Sequence, residues 1–456
     1  MPIITTTNPA TEKSLQSYET LSSTALREKI KQATTSYSSW RKRSFAERAN
    51  LLLRLADLLE ERTELLAQLA TAEMGKTITS ARAEVTKCAW VCRYYAKHAE
   101  GFLSREYIET DASSSFITYQ PLGLILAVMP WNYPYWQVFR FAAPALMAGN
   151  VGLLKHAPNV LGCGEAIAEI FRAAGFPEGV FTHLIVETEQ VKDILQNEQV
   201  RAATLTGSER AGSAVAAEAG RQIKKTVLEL GGSDAYLILE DADLEAAATA
   251  CATSRLLNAG QSCIGAKRFI VLEAVYDEWL ALFKNKMASA QLGDPLDENS
   301  DLGPLAREDL RRSLHQQVTK SIELGARCIL GGEMPKGQGV YYPPTILVDI
   351  QAGMPAYQEE LFGPVAAVFK VADEAAAIRL ANDSPFGLGA AVFTRNRERG
   401  EYIAAHQLEA GCCFVNGFVK SDPRLPFGGI KVSGYGRELS HLGIREFTNT
   451  KTVWVK

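Results

Sequence analysis

At 456 residues, with 47% hydrophobic and 22% charged residues, the chain has the composition of an ordinary folded protein and is too long for one core, so two or three packed lobes are expected. A net charge of −4, with Lys and Arg spread along the chain, argues against nucleic acid or an anionic membrane as partner. Eight cysteines without a C-x-x-C pair and six scattered histidines argue against a disulfide framework and supply no ligand set for a metal.

Residues 1–10 show no leader pattern, and no apolar run reaches the ~18 residues a membrane span needs, so a cytoplasmic address is expected. Residues 23–103 read as consecutive helices, because Leu51, Leu52, Leu55, Leu58, Leu59, Leu65, Leu66 and Leu69 recur at helical spacing. Cys88 and Cys92 lie on that pattern as small core residues. Gly75-Lys76-Thr77 resembles the end of a phosphate-binding loop, but Ala70 stands where its first glycine belongs and no strand precedes it, so a helix break is the better reading.

A hairpin follows, with strands around Tyr107 and Ile108 and over 113–120. Apolar strands at 124–128, 151–154, 181–186, 202–205 and 227–228 then alternate with amphipathic helices, the pattern of a parallel sheet covered on both faces. A second α/β series spans 235–416, with strands at 236–239, 268–272, 365–371, 390–394 and 412–415. The last segment, 448–456, alternates as a strand and is expected to pair with the hairpin or with a sheet edge of another subunit.

Four segments carry candidate chemistry. Asn258-Ala259-Gly260-Gln261-Ser262-Cys263 puts a cysteine in a small polar turn ahead of a strand, where it can face a cleft or be a buried free thiol. Glu229-Leu230-Gly231-Gly232 ends the last strand of the first series, where α/β sheets place ligand contacts, so Glu229 is a candidate base or a solvated strand end. Pro130-Trp131-Asn132-Tyr133-Pro134 offers an amide donor from a rigid turn at another strand end. Thr206-Gly207-Ser208, followed by Gly212, opens a helix whose free amides would favour a pyrophosphate, or serves as a cap alone.

Together with Lys155, Glu-Glu-Leu-Phe-Gly-Pro at 359–364 and Pro-Phe-Gly-Gly at 426–429, these segments resemble the aldehyde dehydrogenase superfamily in order and spacing over most of the chain. That resemblance implies an α/β fold with two doubly wound lobes, one cofactor-binding and one catalytic, and a small β arm for oligomerisation. It divides the chain into 1–103 with 123–231 for the dinucleotide, 232–439 for catalysis, and 104–122 with 440–456 for a homodimer or homotetramer contact.

It further implies that Cys263 attacks the aldehyde carbon, that the Asn132 amide and a backbone N–H hold the oxyanion, and that Glu229 activates the water that cleaves the thioester. Trp131, Lys155, Pro158, Gly207, Ser208, Gly212, Leu230, Glu360 and Phe362 match cofactor contacts. NAD-preferring members tend to carry an acidic residue three after the lysine; Pro158 stands there, so NADP or NAD is expected. Arg140, Trp136 and Ser421 match a pocket for a substrate's distal carboxylate, and the overall texture is most like bacterial succinate-semialdehyde dehydrogenases. Some members carry an arginine where Leu257 stands and a second cysteine where Gly265 stands, so the pocket is altered and a local disulfide switch is not expected. The rival readings are a broader or coenzyme A-acylating dehydrogenase and a catalytically silent binding protein on this fold; a G-x-S-x-G esterase fails at Ile264.

Overall fold

The structure, a computed structural model, describes residues 2–456. Four helices, Ser23–Trp40, Phe45–Glu61, Thr63–Met74 and Ile78–Phe102, form the layer expected from the leucine spacing. Ser22 caps the first by accepting the Ala25 N–H, and Ser44 and Glu47 cap the second reciprocally. Each such cap satisfies donors that have no partner within the helix and contributes about 1 kcal/mol. The third helix stops at Gly75, whose φ of 86° suits glycine, and the next begins just beyond it, so the break at 75–77 is confirmed. Lys76 turns inward to form a fully buried ion pair with Glu84.

That helical layer reaches into the first sheet through two carboxylates. Glu84 accepts the backbone N–H groups of Tyr135 and Trp136, both at 2.8 Å, where helix Trp136–Met147 begins. Glu73 accepts those of Gly162 and Cys163 at 2.9 Å, where helix Leu161–Ala173 begins. Neither helix has a side-chain cap of its own, so the buried acids satisfy the orphan donors and face the positive dipole ends.

The first sheet orders its six strands Gly434–Tyr435, Lys225–Glu229, Val200–Thr206, Leu124–Val128, Val151–Lys155, Phe181–His183. Every pairing is parallel except that of Gly434–Tyr435, which arrives from the far end of the chain. The second sheet runs Arg327–Leu330, Thr345–Val348, Val365–Val371, Arg268–Leu272, Ala235–Ile238, Gly389–Phe393, Cys412–Val415, with only the Arg327–Leu330 edge antiparallel. Along Ala235–Ile238, Ala235 and Leu237 enter one core while Tyr236 and Ile238 enter another, which is why the strand is apolar at every position. Thr448–Val455 pairs along its whole length with Ser114–Pro121, which also pairs with Glu106–Tyr107. The two parallel-sheet lobes and the small β arm are those expected.

Several elements depart from the sequence expectations. Ile3–Thr7 and Ser14–Glu19 form an antiparallel hairpin ahead of the first helix, and Thr345–Val348 and Arg327–Leu330 extend the second sheet. The first two strands are largely polar and exposed and Arg327–Leu330 is a half-covered edge, so these three lack the buried pattern that marks an interior strand; Thr345–Val348 is buried throughout, but it is only four residues long and follows a Pro-Pro pair. The strand expected over 181–186 ends at His183.

Glu84→Gln would keep an acceptor for Tyr135 and Trp136 but leave the Lys76 ammonium buried without its counter-charge. Urea unfolding should show a loss of about 3–5 kcal/mol, and Lys76→Met in the same chain should restore much of it. An equal loss in the double variant would mean that the backbone bonds, not the charge pair, carry the effect.

Candidate active site

Cys263 lies in a loop whose backbone is held from several sides. Asn258 and Ala259 adopt left-handed conformations, with φ of 56° and 52°, that non-glycine residues take only when the surroundings compensate. Gly260 follows at φ 75°, and a Cβ there would come within 2.2 Å of the Gly363 carbonyl, so glycine is required. Arg255 donates to the Gly260 carbonyl at 2.6 Å, and Lys267 Nζ donates to those of Ser262 at 2.8 Å and Cys263 at 2.6 Å. With their carbonyls fixed by cations, these residues have little freedom to move the sulfur.

Two asparagines tie this loop to the first lobe. Asn258 Nδ2 donates to the Asn132 carbonyl at 2.8 Å, and Asn132 Nδ2 donates to the Gln261 carbonyl at 3.1 Å. The turn that carries Asn132 is braced in its own lobe by His156. Its Nε2 lies 2.9 Å from the Pro134 carbonyl, and its Nδ1 lies 3.0 Å from the Ala157 N–H and 3.3 Å from the Met129 carbonyl. Burial, with His183 adding to it, drives this imidazole down to about 3.

Cys263 is partly exposed and lines two cavities. One, of about 670 Å³, is bounded by Trp131, Asn132, Gly207, Ser208, Leu230 and Phe362 among others. The second, of about 730 Å³, contains Lys87, Trp136, Arg140, Leu257, Ser421 and Phe427. The sulfur therefore stands where two separate spaces meet. Burial pushes its thiol up to about 12, with Lys267 and Arg140 opposing and Glu360 and Glu229 adding to the rise. At rest it is a thiol that must lose a proton before it can attack.

The first cavity has the character of a dinucleotide cleft. Helix Glu209–Arg221 opens onto it through Gly207 and Ser208, and a Cβ at Gly207 would meet nothing closer than 3.6 Å, so a ligand can approach this backbone. Trp131 meets Phe362 edge to face at 5.7 Å. Glu360 accepts the Gly232 N–H at 3.0 Å and pairs with Lys267 at 3.1 Å. Lys155 is buried at its strand end, and burial holds its ammonium below the usual value. Ser208 caps the helix by accepting the Ala211 N–H at 3.3 Å, and Gly212 packs against Leu230, so both have structural work besides any contact with a ligand. Pro158 is exposed and borders a different cavity, beside Asn159 and Arg307.

Two expected residues stand differently from the simplest picture. Glu229 is buried, lines neither cavity, and lacks a hydrogen-bond partner for either carboxyl oxygen; it packs instead toward Gly428. Burial, with Glu438 adding to it, holds this carboxyl well above the usual range despite Arg140 and Arg437. Burial thus favours the protonated form, and the carboxyl must be ionised and turn before it can serve as a base. Arg140 lines the second cavity, but it is already ion-paired with buried Glu438, bonded to Thr206 at 3.2 Å and stacked over Phe427 at 4.8 Å.

Lys87, Lys267, His156 and Glu438 complete the site without having been singled out by the sequence motifs, and Asn258, within the cysteine segment, had no role assigned to it. Lys87 had a signal, because it stands one position before Cys88 beside the buried stripe of Ile78–Phe102. Among the described residues no group of three or more His, Cys, Asp or Glu side chains could hold a metal ion, and no helix is long and apolar enough to cross a membrane.

Comparison with known proteins follows this geometry. The aldehyde dehydrogenase family matches residues 2–453, and the chain belongs to that family. A Synechocystis protein named a probable succinate-semialdehyde dehydrogenase, NADP(+), is 52% identical over 99% of both chains. An Escherichia coli protein named succinate semialdehyde dehydrogenase, NAD(P)+, is 46% identical over 98% of this chain and 96% of its own. Among solved structures, succinic semialdehyde dehydrogenase from Streptococcus pyogenes with NADP+ has a TM-score of 0.97 at 39% identity, covering 99% of each chain.

The unfolded chain takes a proton on His156 below its ordinary value of 6.5, whereas the folded chain keeps the ring neutral down to about 3, so stability is lost as pH falls through that window. His156→Gln should flatten this dependence, by up to about 1.4 kcal/mol for each pH unit below 6.5, in urea midpoints compared near pH 7 and pH 5.5. Identical slopes in the two proteins would show that the imidazole takes up its proton in both states.

Proposed function

We propose that this protein oxidises succinate semialdehyde to succinate with NADP+ or NAD+ as hydride acceptor. The observation that carries the mechanism is that Cys263 lines both cavities, so one sulfur can meet an aldehyde from one side and a nicotinamide from the other. The substrate assignment draws on the relatives named above and on a second cavity that contains cationic side chains at Lys87 and Arg140.

In this reading the Cys263 thiol gives its proton up to solvent, and the thiolate adds to the carbonyl carbon as the C=O π bond opens to the oxyanion of a thiohemiacetal. The Asn132 amide, which uses one N–H on Gln261, offers its second to the oxyanion beside the Cys263 backbone N–H, an arrangement worth a few kcal/mol in such sites. Trp131, Lys155, Gly207, Ser208, Leu230, Glu360 and Phe362 would hold the dinucleotide, with Gly212 supporting the helix and Pro158 beside the adenosine ribose. When bound, the dinucleotide supplies the hydride acceptor. What remains on Cys263 is a thioester. Glu229, ionised and swung toward the sulfur, takes a proton from water; the hydroxide displaces the thiolate and the carboxylic acid leaves. Trp136, Arg140 and Ser421 line the space for the remote part of the substrate.

The same proposal divides the chain into a dinucleotide lobe of 1–103 and 123–231, a catalytic lobe of 232–439, and an arm of 104–122 and 440–456. Tyr107, Ile108, Trp454 and Val455 are exposed apolar residues of that arm, which supports a homodimer or homotetramer joined there. The eight free cysteines favour a cytoplasmic setting.

Glu229→Gln should still release about one reduced cofactor per active site and then stall, and no burst would place the carboxyl in an earlier step. Because the thiolate is the reactive form and the thiol is held high, the burst rate should rise from about pH 6 to about pH 9; a flat profile would contradict a resting thiol. For the substrate, kcat/KM for succinate semialdehyde should exceed that for butanal by about a hundredfold, and equal values would remove the assignment.

A further inference from the structure

We propose that Lys87 is the residue that selects for the substrate's distal carboxylate. The inference rests on the succinate semialdehyde reading and names the charge that enforces it. Lys87 projects from helix Ile78–Phe102 into the cavity that Cys263 lines. Its Nζ donates to Ser421 Oγ at 2.8 Å and lies 4.1 Å from the Trp136 ring centroid. These two contacts aim the ammonium and shield one side of it. An ammonium has three donors, and Ser421 engages one.

What distinguishes Lys87 from the other cations of the cavity is that it is partly buried and has no counter-ion. Among the described residues it forms no ion pair, although carboxylates stand nearby. Glu84 is paired with Lys76 and accepts two backbone N–H groups. Asp422 is held by Arg424 at 2.6 Å. Of the other cations lining the cavity, Arg140 is paired with Glu438, so its charge is already balanced within the protein, and Lys420 is exposed, so its charge is open to solvent. Leu257, on the same cavity wall, has none to give.

A partly buried cation without a partner is costly unless something supplies the missing charge. Burial and the Arg140 charge bring the Lys87 ammonium down to about 8, a penalty that a bound carboxylate would relieve. An anion is thus the occupant that this part of the cavity lacks, and Ser421 Oγ, whose proton remains to be donated, can bind the same carboxylate. Arg140, stacked on Phe427 and balanced by Glu438, then forms part of the cavity wall.

The test compares wild type, Lys87→Gln and Lys87→Met on succinate semialdehyde and butanal, with butyrate as a competitive inhibitor. Lys87→Met keeps the apolar stem over Trp136, so two unlike replacements share the result. The expected outcome is a fall of about tenfold or more in kcat/KM for succinate semialdehyde, mostly through KM, with the butanal value within about twofold and butyrate inhibition weakened in parallel. If both variants keep the wild-type preference for the carboxylate substrate, the proposal is overturned. If both lose the two substrates equally, Lys87 is structural and the proposal is equally overturned. A wild type that does not prefer succinate semialdehyde over butanal would instead remove the underlying substrate reading, a failure visible before any variant is made.

Discussion

Two asparagine amides decide where the Cys263 sulfur stands. Asn258 reaches from the second lobe to the Asn132 carbonyl, and Asn132 reaches back to the Gln261 carbonyl. Each bond is ordinary, but together they join the loop of Cys263, the proposed nucleophile, to the turn of Asn132, its proposed oxyanion donor. Loop strain at Asn258 and Ala259 persists because these bonds, Arg255 and Lys267 all oppose its release. Moving either lobe would separate the Cys263 sulfur from the amide proposed to stabilise its adduct.

Behind this contact stands a layered support built from buried charge. Glu84 couples Lys76 to the start of the helix that carries Trp136 and Arg140, while neutral His156 fixes the turn before it. Buried ionic groups add little net stability against apolar substitutes, but once present they leave few alternative arrangements. The same economy governs the cavity: Arg140 is balanced by Glu438, whereas Lys87 is not. Placing one balanced and one unbalanced cation side by side separates scaffolding from recognition. Glu229 also fits this logic, since burial without a hydrogen-bond partner disfavours its charged form.

Much of this was legible in the sequence where burial leaves a pattern. Strands covered on both faces, such as Val151–Lys155 and Arg268–Leu272, are apolar throughout, and chemistry at their ends is marked by glycine and proline turns. The break at Gly75 followed from a glycine and the end of the apolar spacing. Edges escaped because they lack that pattern: Ile3–Thr7 is mostly exposed, and Arg327–Leu330 is only half covered. Side-chain direction escaped for a different reason. That Arg140 meets Glu438, nearly three hundred positions along the chain, or that Glu229 turns toward Gly428, depends on packing between distant segments rather than on local spacing. Lys87 was hidden in the same way, by a serine far along the chain that gives it its aim.

The central claim is that the acyl group passes through the Cys263 sulfur. It is tested most directly by mixing Glu229→Gln enzyme with succinate semialdehyde and NADP+, quenching in acid, and reading the peptides by mass spectrometry. The account predicts a succinyl mass increment confined to the peptide that contains Cys263, in about one copy per active site. Reduced cofactor without that adduct, or an adduct on Cys412 in its place, would contradict it.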